Sequence, residues 1–591
     1  MLRPPDPATS ARPWVASYPP GVPPTYRLPT VRLPRLLDDA ARDFPEHVSC
    51  RFERRQLTYT ELRERVDALA AALTDLDRPD DDASLQQGRV LVRVPDGFAA
   101  PVILFALWRL GAVAVPVDPA LDVDELLEVA KRAEVVGAIA DPAAVRALTD
   151  AEVPLRFAVT VRGDEWDPAR RRGPLGLVAR VRLPRPMRRR VAPSDEGPEQ
   201  LVTAMADLLA GGDPRARRPR PALPHDGPAL LAVRTGPDGV ALTEHTHVGL
   251  LATAFQARLW IPDVQAGRER VLVAQPMHDL VGLAVGLLAA VLAGATTILL
   301  DTTDDGELGR TIERSGATLL VARSPRIARL MGSRDATHHD LSSLRVCLTV
   351  GDGLPPQLAR KLEVAADGAR VRALHGYGDA VPIGHGQPVY GRVVPSALGL
   401  PVTSTVAMVV RPDDLSRIVP PEQVGRLLLH GPQVAPAADG TVRTDGWVAT
   451  DLLARMDADG WFTVVGRDGE VVDVGGEPRS PARIAAALVA HPAVRDVEVV
   501  AVDDELVAAV VRARRRHPAV EDLRADLAVA LDDRAMPDEL VVFDALPRDD
   551  DGHLDVAALE QRMRDTLHLD PDADPDADEP RDRPAAPRDV P

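Results

Sequence analysis

Cysteine is almost absent from this chain of 591 residues; Cys50 and Cys347 are its only two. That count excludes a disulfide framework of the secreted type and offers no zinc-ligand spacing. Lysine is equally scarce, with Lys131 and Lys361 alone, so nearly all of the 70 basic residues are arginine. Together with 56 prolines and abundant alanine, this indicates a GC-rich coding bias, under which a lost lysine is expected to become arginine and keep its charge. Aromatic residues make up 3%, so a core must be built from Leu, Val and Ala. Basic residues fall short of the 88 acidic ones and the net charge is −18. The balance argues against a nucleic-acid or anionic-membrane binder, whose footprint is basic.

The N-terminus lacks the apolar run of a secretory signal and reads as an extended, proline-rich arm, so a cytoplasmic protein is expected. One uncharged stretch, Leu280 to Leu300, reaches transmembrane length. Gly294 breaks it as a helix terminator, Thr296 to Leu300 is β-branched, and both flanks are acidic. It therefore predicts a buried helix followed by a buried strand, with no integral membrane association.

Thr58 and Glu61 form a capping box ahead of a helix over 57–76. A strand at 90–94, a helix at 99–110, a strand at 112–118, a helix at 122–133 and a strand at 135–141 follow. This alternation implies parallel βαβ units, and it returns from Val271 to about Leu374. Between them, at about 160–225, lies an Arg/Pro-rich insertion without interleaved aromatics, read as solvated surface. From about 469 a small α+β unit is expected: helix 481–490, strands 496–502 and 506–512, helix 521–531 and strand 539–543. An acidic, proline-rich tail at 567–591 reads as disordered.

Several segments, in order, resemble the adenylate-forming, AMP-binding superfamily, in particular its long-chain fatty acyl-CoA synthetase branch. They include RTGPDGV (234–240), QPMHDLVGL (275–283), LTVGDGLPPQL (348–358), HGYGDA (375–380), GWVATDLLARMDADGWFTVVGRDGE (446–470) and LPRDDDGHL (546–554). The resemblance spans about 14 to 566 and implies an α/β fold. A proline-rich arm (1–32) leads into a large AMP-binding N-terminal domain (33–466), and a small α+β lid domain (467–566) follows. It also implies a reaction: ATP and a carboxylic acid give an acyl-adenylate and pyrophosphate, then the CoA thiol attacks. Such chemistry needs backbone donors for phosphates, a divalent cation, and a cation on the developing charge.

By that resemblance the nucleoside half is present. Gly351, Asp352 and Gly353 match the loop bordering adenine, and Tyr377 with Gly378 matches the aromatic turn packed on it. Asp451 matches the ribose-binding aspartate, and Arg467 the arginine near ribose and hinge. Read from the residues alone, Tyr377 is equally a core aromatic and Asp451 a helix cap. The phosphate half departs from the pattern. Of the phosphate loop only Thr235, Gly236, Pro237 and Gly239 match, and its lysine is replaced by Asp238, which repels a polyphosphate. Val233 stands where a glycine is expected. The phosphate-binding threonine is Ala380 and the magnesium-holding glutamate is Val381, leaving Asp379, one position early, as the nearest oxygen ligand. The adenylation lysine is replaced by His553, mostly neutral at pH 7 when solvated. Coding bias predicts arginine there, not histidine. His278, Asp279 and Gly282 fall on the segment that would gate an acyl pocket, whose candidate wall is the helix 280–293 with its following strand.

The expectation is an acyl-CoA synthetase-like protein impaired in adenylation, binding an acyl or acyl-adenylate ligand, AMP better than Mg·ATP, with an active homologous synthetase as a candidate partner. The alternatives are an active fatty acid–CoA ligase using ATP, Mg and CoA, and a structural interaction protein working through its insertion or tail.

Overall fold

In a computed structural model of the chain, the described residues are 12–76, 85–162, 189–190, 201–205, 208, 224–237, 239–300, 306–332, 338–351, 353–438, 442–444, 446–491, 493–502, 505–513, 519–548 and 554–567. Most of the arginine-rich insertion, Asp238, Asp352, His553 and the acidic tail lie outside them. The chain divides into two compact units, Met1–Val464 and Val465–Pro591. The architecture is α/β, with a large N-terminal and a small C-terminal domain.

Two nine-stranded sheets organise the large unit. Across the first run Leu400–Pro401, Val381–Gly386, Arg370–Tyr377, Val346–Val350, Leu319–Arg323, Arg270–Ala274, Thr296–Leu299, Val48–Phe52 and Arg55–Thr58. From Arg370–Tyr377 to Val48–Phe52 all pairings are parallel, and antiparallel hairpins close both edges. In the second sheet Val113–Pro116, Arg89–Arg93, Gly137–Ala140 and Phe157–Thr160 are parallel neighbours. The hairpin Pro228–Gly236/Gly239–Thr246 joins them through Pro228–Gly236. A third, six-stranded sheet contains Gly425–His430 and Trp447–Met456.

Local signals set these elements. The helix Tyr59–Leu76 opens on a reciprocal capping box: Glu61 N–H donates to Thr58 Oγ1 at 3.1 Å and Thr58 N–H to Glu61 Oε2 at 2.9 Å. The helix Ala99–Leu110 is buried along ten consecutive residues and stops at Gly111, where φ is +81°. A left-handed residue there favours glycine. The uncharged 280–300 stretch divides as its composition implies, into helix Val281–Leu292, Gly294 at φ +60° and strand Thr296–Leu299. Val281–Leu288 of that helix is π-helical. Among the described residues no helix is long and apolar enough to cross a membrane. Three buried aromatics have their polar tips satisfied by backbone carbonyls. Trp108 donates to the Ala229 carbonyl at 2.8 Å, Trp260 to that of Gln387 at 3.0 Å, and Tyr59 to that of Ala295 at 2.7 Å.

The described part of the N-terminal arm, from residue 12, is a packed strap. Trp14 is 1% exposed and meets Phe462 edge-on at 5.9 Å. Tyr18 and Tyr26 donate to the carbonyls of Pro401 and Ala252. In the small unit, strands Val494–Val502, Glu505–Arg512 and Glu539–Phe543 form one sheet, with helices Pro481–Val489 and Val520–Ala530.

Candidate functional site

Two tight turns, one from each large sheet, meet in the N-terminal unit. The first is Gly236–Gly239, which joins two strands in continuous register: Gly236 faces Gly239, Thr235 faces Val240 and Arg234 faces Ala241. Gly239 sits at φ +90°, which glycine tolerates. The segment matching a phosphate loop is therefore a closed hairpin. Thr235 is half-buried, Gly236 is exposed, and Val233 lies extended in the ladder.

The second turn is Gly378–Ala380, a single 3₁₀ turn between Arg370–Tyr377 and Val381–Gly386. Arg234 reaches it from the hairpin, placing Nε 3.1 Å from Asp379 Oδ2. From the next strand, His245 Nε2 lies 2.9 Å from the Asp379 carbonyl oxygen. A carbonyl only accepts, so His245 carries its proton on Nε2. Its Nδ1 is buried without a partner. Burial pushes the His245 pKa down to about 4, against a smaller raising effect of that hydrogen bond. The ring is neutral at physiological pH. Ala435 N–H also donates to the Ala380 carbonyl at 2.8 Å, tying the turn to a third segment.

This corner does not fit a magnesium ion. Asp379 is its one turn carboxylate and is already ion-paired to Arg234, while Val381, at the glutamate position, is 0% exposed. Among the described residues no cluster of three or more His, Cys, Asp or Glu side chains is placed to hold a metal.

Tyr377 is 8% exposed, its hydroxyl 2.5 Å from His385 Nδ1. A Cβ on Gly384 would meet the ring at 2.6 Å. The structure places Tyr377 among core aromatics, the second of its two sequence readings. Burial holds His385 well below its ordinary pKa. Gly351, at φ +92°, sits where the parallel strand Val346–Val350 ends, and its N–H donates to the Leu374 carbonyl at 3.2 Å. The carboxyl ends of parallel strands are where such sheets bind ligands. Gly353 has no atom within 4 Å of a notional Cβ, so it borders open space.

Asp451 is exposed on the strand Trp447–Met456. The register with Gly425–His430 slips there, since Leu428 faces Ala449 but Arg426 faces Leu453. Thr450 pins the resulting bulge by donating to the Leu427 carbonyl at 2.9 Å. A bulge of this kind re-aims a side chain. Asp451 is thus a strand residue, and the helix-cap reading is corrected. Arg467 is exposed and ends the strand Phe462–Arg467, within the small unit.

Of the three acyl-segment residues, Asp279 is tied into the fold by a hydrogen bond and an ion pair. Asp279 Oδ1 accepts the Val281 N–H at 2.8 Å, and its other oxygen pairs with Arg323. His278 Nε2 stands 3.8 Å from Asp118, beyond hydrogen-bond range. A Cβ on Gly282 would fall 2.1 Å from the Pro276 carbonyl oxygen, so glycine is needed for that close approach. Val285 and Ala289 line an apolar cavity of about 30 Å³, with Val321 and Leu348 opposite. That is about the volume share of one water molecule, far less than an acyl chain. The strand Thr296–Leu299 does not line this small cavity, which is not the acyl pocket expected beside that helix.

Arg234 and His245 are the contributors that motif reading underweights. Arg234 lies on the matched segment, and His245 gives no signal beyond a lone histidine in an amphipathic strand.

Against this geometry, the model of the AMP-binding enzyme family matches residues 37–204 and 237–437, and that of the AMP-binding enzyme C-terminal domain matches 483–552. The long-chain-fatty-acid–CoA ligase of Bacillus subtilis is 26% identical over 509 residues, covering 84% of this chain and 87% of that protein. Its namesake in Yersinia pestis is 27% identical over 467 residues, covering 76% and 79%. Among solved structures, apo MatB from Rhodopseudomonas palustris superposes with a TM-score of 0.71 at 20% identity, over 90% of this chain and 99% of that one. The anthranilate CoA ligase AuaEII, solved with anthranoyl-AMP, gives 0.67 at 18% identity, over 92% and 99%. At such identities the structural likeness establishes the fold.

Proposed function

This chain belongs to the AMP-binding enzyme family, and we propose that it is an acyl-CoA synthetase-like protein that binds an acyl or acyl-adenylate ligand and is impaired in making one from ATP. The observation that carries this reading is the ion pair of Arg234 with Asp379, set beside the buried Val381. In the corner that resembles a phosphate and metal site, one cation and one anion satisfy each other. A polyphosphate arriving there has to separate them. Asp238 adds repulsion to any β- or γ-phosphate held by the hairpin. A nucleoside monophosphate or acyl-adenylate makes neither demand. Its expected contacts within the large unit are Gly351, Asp352, Gly353, Gly378 and Asp451, and Tyr377 contributes only if its ring is uncovered.

Thr235, Gly236 and Gly239 hold the hairpin turn in this reading. His278 borders the acyl entrance beside the helix starting at Val281, and Asp279 and Gly282 set that helix's position. His553 occupies the place of the adenylation lysine and acts as a cation only when protonated.

The names of the relatives favour a second reading, an active fatty acid–CoA ligase consuming ATP and CoA. Fatty-acid-dependent ATP–pyrophosphate exchange, measured across chain lengths with magnesium, separates the two. Our reading expects exchange near the no-acid control, together with calorimetric binding of AMP tighter than that of Mg·ATP. Robust exchange overturns it.

A further inference from the structure

A second cavity, of about 260 Å³, opens at the opposite edge of the first sheet. Its walls come from the hairpin Val48–Phe52/Arg55–Thr58, from strand Thr296–Leu299, and from helix Glu307–Ser315. Five strand steps separate Val48–Phe52 from Arg370–Tyr377 in the sheet order. At roughly 4.8 Å per step, that is about 24 Å from the Asp379 turn. We propose that this cavity binds a small phosphate-bearing anion, separately from the adenylate corner.

The charge of the lining is the first argument. Arg51, Arg54 and Arg314 face a single carboxylate, Glu53, in a chain whose net charge is −18. None of the three guanidinium groups is tightly neutralised by the described residues. Arg51 meets neutral Gln56 at 3.4 Å, and Arg314 stands 4.0 Å from Glu307. Planar guanidinium forks match phosphate oxygens two at a time.

The second argument is independent of charge. Thr311 lines the same cavity and is 3% exposed, yet its hydroxyl has no hydrogen-bond partner. Four residues on, Ser315 donates to the Thr311 carbonyl at 2.5 Å, so it leaves the Thr311 hydroxyl unsatisfied. A buried polar group left unpaired is costly to a fold and calls for an explanation. An anion seated among the three arginines would supply the missing acceptor. Glu53, which directs the hairpin tip carrying Arg54, holds φ +51°, a strained value for a residue with a Cβ.

The test is calorimetric titration of the full chain with pyrophosphate and with inorganic phosphate at low ionic strength. Saturable binding is expected, weakened at least tenfold by Arg51→Gln/Arg314→Gln, with the ligand-free melting temperature unchanged. Arg54→Gln, at the hairpin tip, is expected to weaken it severalfold on its own. Thr311→Val supplies the discriminating readout. Removing an unpaired hydroxyl should raise the melting temperature without anion and weaken anion binding severalfold. Absence of saturable binding, or equal affinity in wild type and a folded double variant, overturns the proposal. So does a Thr311→Val protein that gains stability and binds as tightly as before.

Discussion

Arg234 and Asp379, 145 residues apart, meet at 3.1 Å across the junction of two sheets. The Arg234 side chain is 62% exposed and that of Asp379 28%, so solvent screens the pair and its worth to folding is about 0–1 kcal/mol. Its weight falls on ligand preference. Asp379→Ala should leave the melting temperature nearly unchanged and tighten ATP binding about fivefold, by freeing the guanidinium and removing a repulsive charge worth about 1 kcal/mol. A metal-holding role for Asp379 predicts the opposite, and calorimetry with and without magnesium reads the sign.

Restoring the glutamate at position 381 is a second test of the same corner. Val381 is 0% exposed and pairs in register with Tyr377. Val381→Glu inserts a carboxylate into a buried site, where Arg234, the cation at this corner, is already paired with Asp379. The expected cost is about 3–5 kcal/mol, the usual range for an uncompensated buried charge. Urea denaturation measures it. A loss below about 1 kcal/mol would mean the turn can rotate that side chain outward, and the corner would then be convertible into a metal site.

His245 makes the large unit acid-sensitive. Its folded pKa, about 4, lies below the ordinary value of 6.5. The unfolded chain therefore binds the proton more readily between those values. Stability contributed by the neutral ring is intact above about 6.5 and is lost as pH falls towards 4. By linkage the loss approaches about 3 kcal/mol for this group alone. His385, depressed by burial as well, acts with the same sign. His245→Gln, which keeps a donor for the Asp379 carbonyl, should lower the difference in unfolding free energy between about pH 7 and pH 4.5. An unchanged difference would place the acid sensitivity elsewhere.

These outcomes bear on what a sequence can convey. Signals carried within one element were legible. The Thr58–Glu61 box, the Gly111 stop and the division of the 280–300 stretch all depend on neighbours a few residues away. The helices and strands of the small unit followed from the same local patterns. What escaped depends on which elements tertiary packing brings together. His245 touches Asp379 only because a strand of one sheet passes behind a turn of the other. Tyr377 has the same local sequence whether its ring meets a ligand or His385, so only the packing of Gly384 and His385 against it decides. The arm was legible as extended and proline-rich, but its hold on the core through Trp14 was not.

Gly282 offers a test of the acyl-side helix. Its missing Cβ leaves room for the Pro276 carbonyl, 2.1 Å from where that atom would stand. Gly282→Ala must push the π-helical turn away from the preceding loop. The expected cost is about 1–3 kcal/mol, typical of overpacking a buried site. The displacement also shifts that loop, which carries His278, the residue placed at the acyl entrance. Acyl-ligand binding should therefore weaken more in Gly282→Ala than in a control of equal instability placed in the small unit, such as Leu527→Ala, buried in that unit's own core. Thermal shift with and without a long-chain acyl-adenylate analogue compares the two. Equal losses would detach this helix from the acyl site.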